Sequence, residues 1–220
     1  MPSIFTDRRA GASTAPYESF NLAQHVGDDS AAVTDNRKSL SKITGPVQFM
    51  NQIHSDSIVI VESISEIDPT CDALITIVPG LAVAVLVADC IPLLLSSDSV
   101  VAAVHVGRKG LTHSIAMKVI SEMRRLGADA IHAQLGPSIC GQCYEVPREM
   151  AEDVGRTHPM AAAFTRESTP ALDLPRALIA DLVSVGITYE TTALCTRENE
   201  NYFSYRRQKI TGRNAGVIWL

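Results

Sequence analysis

The residue types that point most directly to chemistry in this chain are His54, Cys90 and His105. His54 follows the run Val47 to Ile53. Cys90 follows the apolar run Leu81 to Ala88 and Asp89. His105 stands near the end of Val100 to Val106, just before Gly107-Arg108-Lys109-Gly110. Neutral imidazole and thiolate are preferred zinc ligands, and three protein ligands with one open position make a catalytic kind of site. An ion held that way turns water into a nucleophile near neutral pH. The same residues suit a second chemistry, with Cys90 as nucleophile, His105 as base and Asp72 or Asp89 orienting the imidazole. No local spacing rule links the three positions, so both chemistries stay open from residue types alone. So does a buried thiol beside two hydrogen-bonded histidines.

Other motifs are weaker. Cys140-Gly141-Gln142-Cys143 is a CxxC that, alone, suggests half a zinc site or a redox pair. No second cysteine pair is spaced to complete it, and it reads best as a structural loop. Arg206-Arg207, after Phe203-Ser204-Tyr205, is a cationic pair suited to holding phosphate in bidentate fashion. Gly107 to Gly110 between a strand and a helix is either an anion cradle or a plain tight turn. Arg37 and Lys38 near the end of a helix read as solvated charges favouring its C-terminus.

The elements that must position these residues follow from periodicity. Asp28-Asp29-Ser30 caps a helix through Leu40. Val47 to Ile53 and Ser57 to Val61 are expected strands around a turn at His54-Ser55-Asp56, and Asp72 to Thr76 is a short one. Leu81 to Ala88 and Val100 to Val106 read as central strands, the second with Val101, Ala103 and His105 on one face. A helix is expected after Gly110, with Leu111, Ile115, Val119, Ile120, Met123 and Leu126 buried and Gly127 as its stop. Ile131 to Leu135 is a strand, Pro147 to Val154 a short helix, Thr157 to Thr169 an irregular excursion, and Asp173 opens a last helix that stops at Gly186. Ala193 to Thr196 and Gly216 to Leu220 are expected closing strands.

The 220 residues suffice for one substantial core, and one domain is the simplest count. A net charge of −5 without a basic block argues against general nucleic-acid or membrane binding. No apolar run reaches the roughly 18 residues of a membrane helix. Met1 to Arg9 lacks a secretion signal's apolar core, so a cytoplasmic protein is expected. The five cysteines, an odd number irregularly spaced, are no secreted disulfide framework.

Taken together, several stretches resemble the laccase-domain family, also called the YfiH or multicopper polyphenol oxidase family. They are Pro16 to Leu22 with His25 to Asp29, Asn36-Arg37, Asn51-Gln52-Ile53-His54, Asp72 to Thr76, and Ala88 to Leu94. Val104-His105-Val106-Gly107, Leu135 to Ile139, Cys143 to Val146, Phe203 to Arg207 and Thr211-Gly212-Arg213 continue the match. The resemblance spans about Gly11 to Leu220 and implies one α/β domain of mixed β-sheets packed together with helices outside. It implies a purine nucleoside phosphorylase with additional adenosine deaminase and methylthioadenosine phosphorylase activities. The family's zinc ligands fall on His54, Cys90 and His105. On this reading phosphate and purine nucleosides are the partners, zinc is the cofactor ahead of copper, and the assembly is a monomer or homodimer. Arg206, with Arg37, Lys109 and Asn21, is expected to bind substrate, and Asp72 or Asp89 to move a proton. The runner-up is a metal-free Cys90–His105 hydrolase or deamidase, and a third class is a non-enzymatic partner-binding domain.

Three departures from the family pattern stand out. Arg108 replaces the usual Trp, Ser55 stands where Gly is common, and Cys140-Gly141 stands where Gly-Pro is frequent. The oxidase label fits poorly, because a blue-copper site plus a three-copper cluster asks for roughly ten histidines, and this chain has six.

Overall fold

The structure, a computed structural model, describes residues 1–220. In chain order its elements are β1 (Ser3–Phe5), α1 (Ser30–Thr44), β2 (Val47–Gln48), β3 (Ile58–Ile60), β4 (Ala73–Thr76), β5 (Ala82–Val87), β6 (Ile91–Ser96) and β7 (Val101–Val106). Then come α2 (Arg108–Thr112), α3 (Ile115–Arg125), β8 (His132–Leu135), α4 (Arg148–Thr157), β9 (Ala162–Phe164), β10 (Pro170–Leu172), α5 (Leu174–Ser184), β11 (Thr188–Thr191) and β12 (Asn214–Ile218).

Two mixed sheets face each other. The smaller runs β1-β12-β5-β2 and the larger β11-β8-β6-β7-β4-β3. Val83, Val85 and Val87 of β5 meet Leu74, Leu94, Val101 and Ala103 of the larger sheet in one apolar layer. The outer face of the smaller sheet packs Ala82, Ala84, Leu86 and Val217 with Leu40 of α1. The outer face of the larger sheet packs Leu93, Leu95, Ala102 and Val104 with Ile115, Val119 and Met123 of α3 and Leu178 and Leu182 of α5. The order is helix, sheet, sheet, helices: one α/β domain. β4 to β7 are buried on both faces, which is why they read as unbroken apolar runs rather than alternating ones.

Local chemistry sets the helix ends. The Asp29 carboxylate accepts the Ala32 amide and starts α1, and Gly45 at φ 76° ends it. Asp173 caps α5 through the Arg176 amide. No helix is long and apolar enough to cross a membrane.

Several sequence expectations need correction. β6 has no counterpart among the expected strands, and Pro92 in its second position is unusual for a central strand. The Pro92 carbonyl accepts the Gly136 amide just past the end of β8. Its missing N–H therefore points to the same side, where no strand partner demands it. Consequently β5 and β7 belong to different sheets. The expected strand Val47–Ile53 is a strand only at Val47 and Gln48, followed by a single parallel bridge from Asn51 to Thr70. Beyond Gln48, Phe49 enters the core under α1 and Met50 the core between the sheets, so the chain is crossing the sheet edge. Gly107 to Gly110 is no tight turn: Gly107 caps α2 and Gly110 lies inside it. A Cβ at Gly110 would stand 3.1 Å from the His105 carbonyl and 3.2 Å from Ile115 Cγ2. The single helix expected after Gly110 is two, broken at Ser114 with φ 56°. Thr157–Thr169 contains the strand β9 of a small hairpin, and Ala193–Thr196 is a loop while the exposed Thr188–Thr191 pairs parallel with β8.

Leu94 is fully buried between the sheets. Leu94→Ala should cost roughly 2–5 kcal/mol by cavity formation, measured by urea denaturation.

Candidate active site

Cys90 lies in the three-residue passage Ala88-Asp89-Cys90 that carries the chain from β5 in one sheet to β6 in the other. Asp89 takes φ 99° there, a left-handed conformation that an Asp tolerates better than most side chains. Its carboxylate is held by the Thr196 hydroxyl at Oδ1 and the Arg206 amide at Oδ2, each at 2.7 Å. The Asp89 carbonyl accepts the Ile139 amide. Asp89 thus ties the sheet-to-sheet passage to two distant loops.

His105 ends β7 on the face between the sheets, and His54 sits in a loop at φ 58°. Both are set by Asp72, which is fully buried just before β4. Asp72 Oδ1 accepts His105 Nδ1 at 2.7 Å and the His54 amide at 3.0 Å, and Oδ2 accepts the Ser55 hydroxyl at 2.8 Å. The Ser55 amide donates to Oδ2 as well, and the Asp72 carbonyl takes the His105 amide. A carboxylate only accepts, so His105 Nδ1 carries the proton and Nε2 is left as the ligand atom. The ligand atoms of His54, Cys90 and His105 all lie within 4.8 Å of one another, with Cys90 Sγ 4.0 Å from His54 Nε2. The two imidazole rings cross at 76° with centroids 4.7 Å apart. A Cβ at Gly107 would stand 3.1 Å from Cys90 Sγ and 3.2 Å from the His54 ring, so a larger residue would have to push these ligands aside by a few tenths of an ångström.

The electrostatics agree with the geometry. Burial alone would raise the Cys90 thiol, but His105 and His54 bring it down to about 6. Burial alone would lower His105, but the Cys90 thiolate and the Asp72 carboxylate carry it up to about 9. Burial likewise works against the Asp72 carboxylate, yet His105 and Ser55 hold it at about 2. A thiolate, two imidazoles and a carboxylate behind one of them fit a thiophilic divalent ion: soft sulfur and borderline nitrogen in front, a histidine-orienting carboxylate behind.

The three residues open onto a cavity of about 370 Å³, within the range of small-ligand sites. Arg108, Arg206 and Arg213 line it with His25, Tyr144 and Tyr205. Arg206 Nη1 donates to the Glu145 carbonyl at 2.7 Å, and its guanidinium lies 4.8 Å from the Tyr144 ring centre. Arg207, by contrast, is consumed by the carbonyls of Thr196, Arg197, Asn199 and Tyr202. Gln52 straps the cavity to β5 through both backbone groups of Leu86.

Not every candidate meets the cavity. Asp72 stands behind the histidines rather than in the lining. Lys109 lies on α2 outside the lining, while Arg108 is in it. Asn21 is buried among Ala23, Asp28 and the Arg213 amide. Arg37 stacks 3.9 Å over Phe49 and pairs with Asp68 at a separate surface cavity. Arg108, Arg213 and His25 had no spacing signal. They come from α2, from just before β12 and from the N-terminal region, and only the fold gathers them.

The family described as multi-copper polyphenol oxidoreductase laccase matches residues 2–220. A Corynebacterium glutamicum protein named purine nucleoside phosphorylase is 44% identical over 229 residues, covering 99% of this chain and 93% of its own. A Streptomyces coelicolor protein of the same name is also 44% identical, covering 98% and 94%. Among solved structures, a Neisseria meningitidis protein superposes with a TM-score of 0.91 at 31% identity, covering 99% of this chain and 93% of its own. The Bacillus licheniformis protein YfiH gives 0.90 at 30%, covering 99% and 92%.

Because Asp72 orients His105, Asp72→Asn should weaken zinc binding roughly 10- to 100-fold, measured by competition with a chromophoric chelator. The His105 proton must leave for a metal to bind. Apparent zinc affinity should therefore rise about tenfold per pH unit as pH climbs from about 7 towards about 9, and level off above. Metal titrations across that range check the slope.

Proposed function

The chain belongs to the multi-copper polyphenol oxidoreductase laccase family, and on that premise we propose that it is a purine nucleoside phosphorylase whose His54, Cys90 and His105 hold zinc. The observation that carries this reading is one cavity that combines a thiophilic three-ligand centre with three arginines and two tyrosines. Phosphorolysis needs both: a place for an anion and a flat apolar place for a purine.

The chain's own residues divide the work. Arg206, fixed by the Glu145 carbonyl and by its amide bond to Asp89, holds phosphate with Arg108 and Arg213. Tyr144 and Tyr205 offer ring faces to the purine, a wall that compensates for Arg108 where the family pattern has Trp. Phosphate oxygen attacks the anomeric carbon of the ribose as the bond to the purine nitrogen breaks. The electron pair leaves with the purine, which takes a proton from solvent. The fixed positive charge of the arginines holds the attacking phosphate and offsets the negative charge developing on the departing base. Zinc, when bound, supplies a Lewis acid beside the reacting groups. Asp72 and Asp89 act by positioning, since both carboxylates are engaged by neighbours. The same centre serves adenosine deamination and methylthioadenosine phosphorolysis as further activities of this reading.

Copper oxidase chemistry is not part of it. Besides the two histidines of the centre and His25, the other three are scattered: His113 at the end of α2, His132 beside Glu190 and His158 beside Asp181. One observation favours a second reading, a metal-free hydrolase or deamidase: the ligand atoms of Cys90 and His105 lie within 4.8 Å, with the thiol held down to about 6 and the imidazole carried up to about 9, the directions a nucleophile and its base would need. Alkylation separates the two, because zinc should protect Cys90 and a free catalytic thiolate should react quickly with or without zinc.

Incubation of inosine, adenosine or methylthioadenosine with phosphate should release the free base. Cys90→Ala should abolish that release, and equal turnover by both proteins would sink the metal-centred reading. Arg206→Ala should raise the KM for phosphate roughly ten- to hundredfold, the equivalent of about 1.5–3 kcal/mol for a hydrogen bond to a charged group.

A further inference from the structure

A second cluster of ligand-type side chains lies outside the cavity. The ligand atoms of Cys140, Cys143, Cys195 and Glu198 all fall within 4.8 Å of one another. They come as two short pairs, Cys140-x-x-Cys143 and Cys195-x-x-Glu198, with 51 residues between them. Each pair is wound into a turn that brings its two ligands to one side. The Cys143 and Tyr144 amides both donate to the Cys140 carbonyl, and the Asn199 amide donates to the Cys195 carbonyl. The loops are stitched by a parallel bridge between Ser138 and Cys195, and the Cys140 amide donates to Cys195 Sγ at 3.5 Å. None of these cysteines is in a disulfide.

We propose that Cys140, Cys143, Cys195 and Glu198 form a second metal site, a closed four-ligand zinc site that is structural rather than catalytic. Four ligands with no open position match the closed, structural kind of zinc site, with the Glu198 carboxylate standing where a fourth sulfur or an imidazole is usual. With zinc–sulfur bonds of about 2.3 Å, tetrahedral thiolates stand about 3.8 Å apart, so the cluster closes on an ion with side-chain shifts of about 1 Å. Glu198 Oε1 is engaged by Arg166 and Cys143 Sγ, which leaves Oε2 for a metal. Arg166, and Arg197 through the Cys143 carbonyl, set positive charge beside an anionic ligand set. Gly141 lets the Cys140–Cys143 turn lie directly against the start of α5, since a Cβ there would stand 2.7 Å from the Asp173 side chain that caps this helix.

The site is placed to brace one wall of the cavity. Ile139 and Tyr144, each next to a cluster cysteine, line the cavity, and Thr196, next to Cys195, holds Asp89. The Arg207 guanidinium binds the Thr196 and Arg197 carbonyls within the Cys195–Glu198 turn. An ion joining the two turns would fix all of these together.

The test is metal counting on protein purified under reducing conditions without chelator, by native mass spectrometry and elemental analysis. Two zinc ions per chain are expected, with one retained in Cys90→Ser and one in Cys143→Ser. Glu198→Gln, a milder change, should lower the affinity of the ion retained in Cys90→Ser if Cys143→Ser fails to fold. Cobalt loaded into Cys90→Ser should show a thiolate charge-transfer band. Metal-free Cys90→Ser would overturn the proposal while leaving the first centre untouched, and so would a Cys140–Cys195 disulfide in the intact mass of the reduced preparation.

Discussion

The buried carboxylate of Asp72 is the constraint on which the centre depends. A charge removed from water is tolerated only when hydrogen-bond donors surround it. Here the donors are the His105 ring, the His54 and Ser55 amides and the Ser55 hydroxyl. Satisfying that one carboxylate forces β7 and the His54 loop into fixed relation. It also selects the His105 tautomer that turns Nε2 towards Cys90. The cost of burying Asp72 and the precision of the centre are therefore one fact viewed from two sides.

Asp89 plays the matching part for the other half of the site. It sits where the chain leaves one sheet for the other, so its backbone cannot relax without disturbing the layer of Val87 and Leu94. From that rigid point its two oxygens hold Thr196 and the Arg206 amide. Arg206 then has little freedom, being anchored at its amide by Asp89 and at its guanidinium by Glu145. The cavity thus has a rigid floor made by strand ends and a wall of loops clamped by arginine–carbonyl bonds. Arg207 is the strongest clamp, and its neighbour in sequence is the one free to face a ligand.

The positive lining follows a similar economy. Arg108 starts α2 directly after Gly107, which is the glycine that lies against Cys90 and His54. The close approach of that backbone to these two ligands therefore also places a guanidinium at their side. Tyr144, raised by burial and by the nearby Cys90 and partly offset by Arg206 and Arg108, shares that corner. Ligand-type side chains and cation are neighbours because Gly107-Arg108 passes close against Cys90 and His54, and the loop after β8 brings the Tyr144 ring alongside.

Sequence alone singled out His54, Cys90 and His105 as chemically suggestive, and located the helix caps at Asp29 and Asp173 and the buried strands that lead to Cys90 and His105. These are local matters of residue type, capping and apolar runs. It missed β6, against which a proline argues by a rule suspended at Pro92, where the neighbouring strand β8 has already ended. It left Cys140-x-x-Cys143 without a partner because Cys195-x-x-Glu198 is no cysteine pair and is separated from Cys143 by 51 residues. Tertiary structure alone decided which arginines face the cavity, that Asp72 stands behind the histidines, and that Asn21, Arg37 and Lys109 do not line the cavity. The reason is that contact between residues distant in sequence is fixed by how two sheets stack and where the chain crosses between them, and neither leaves a trace in local spacing.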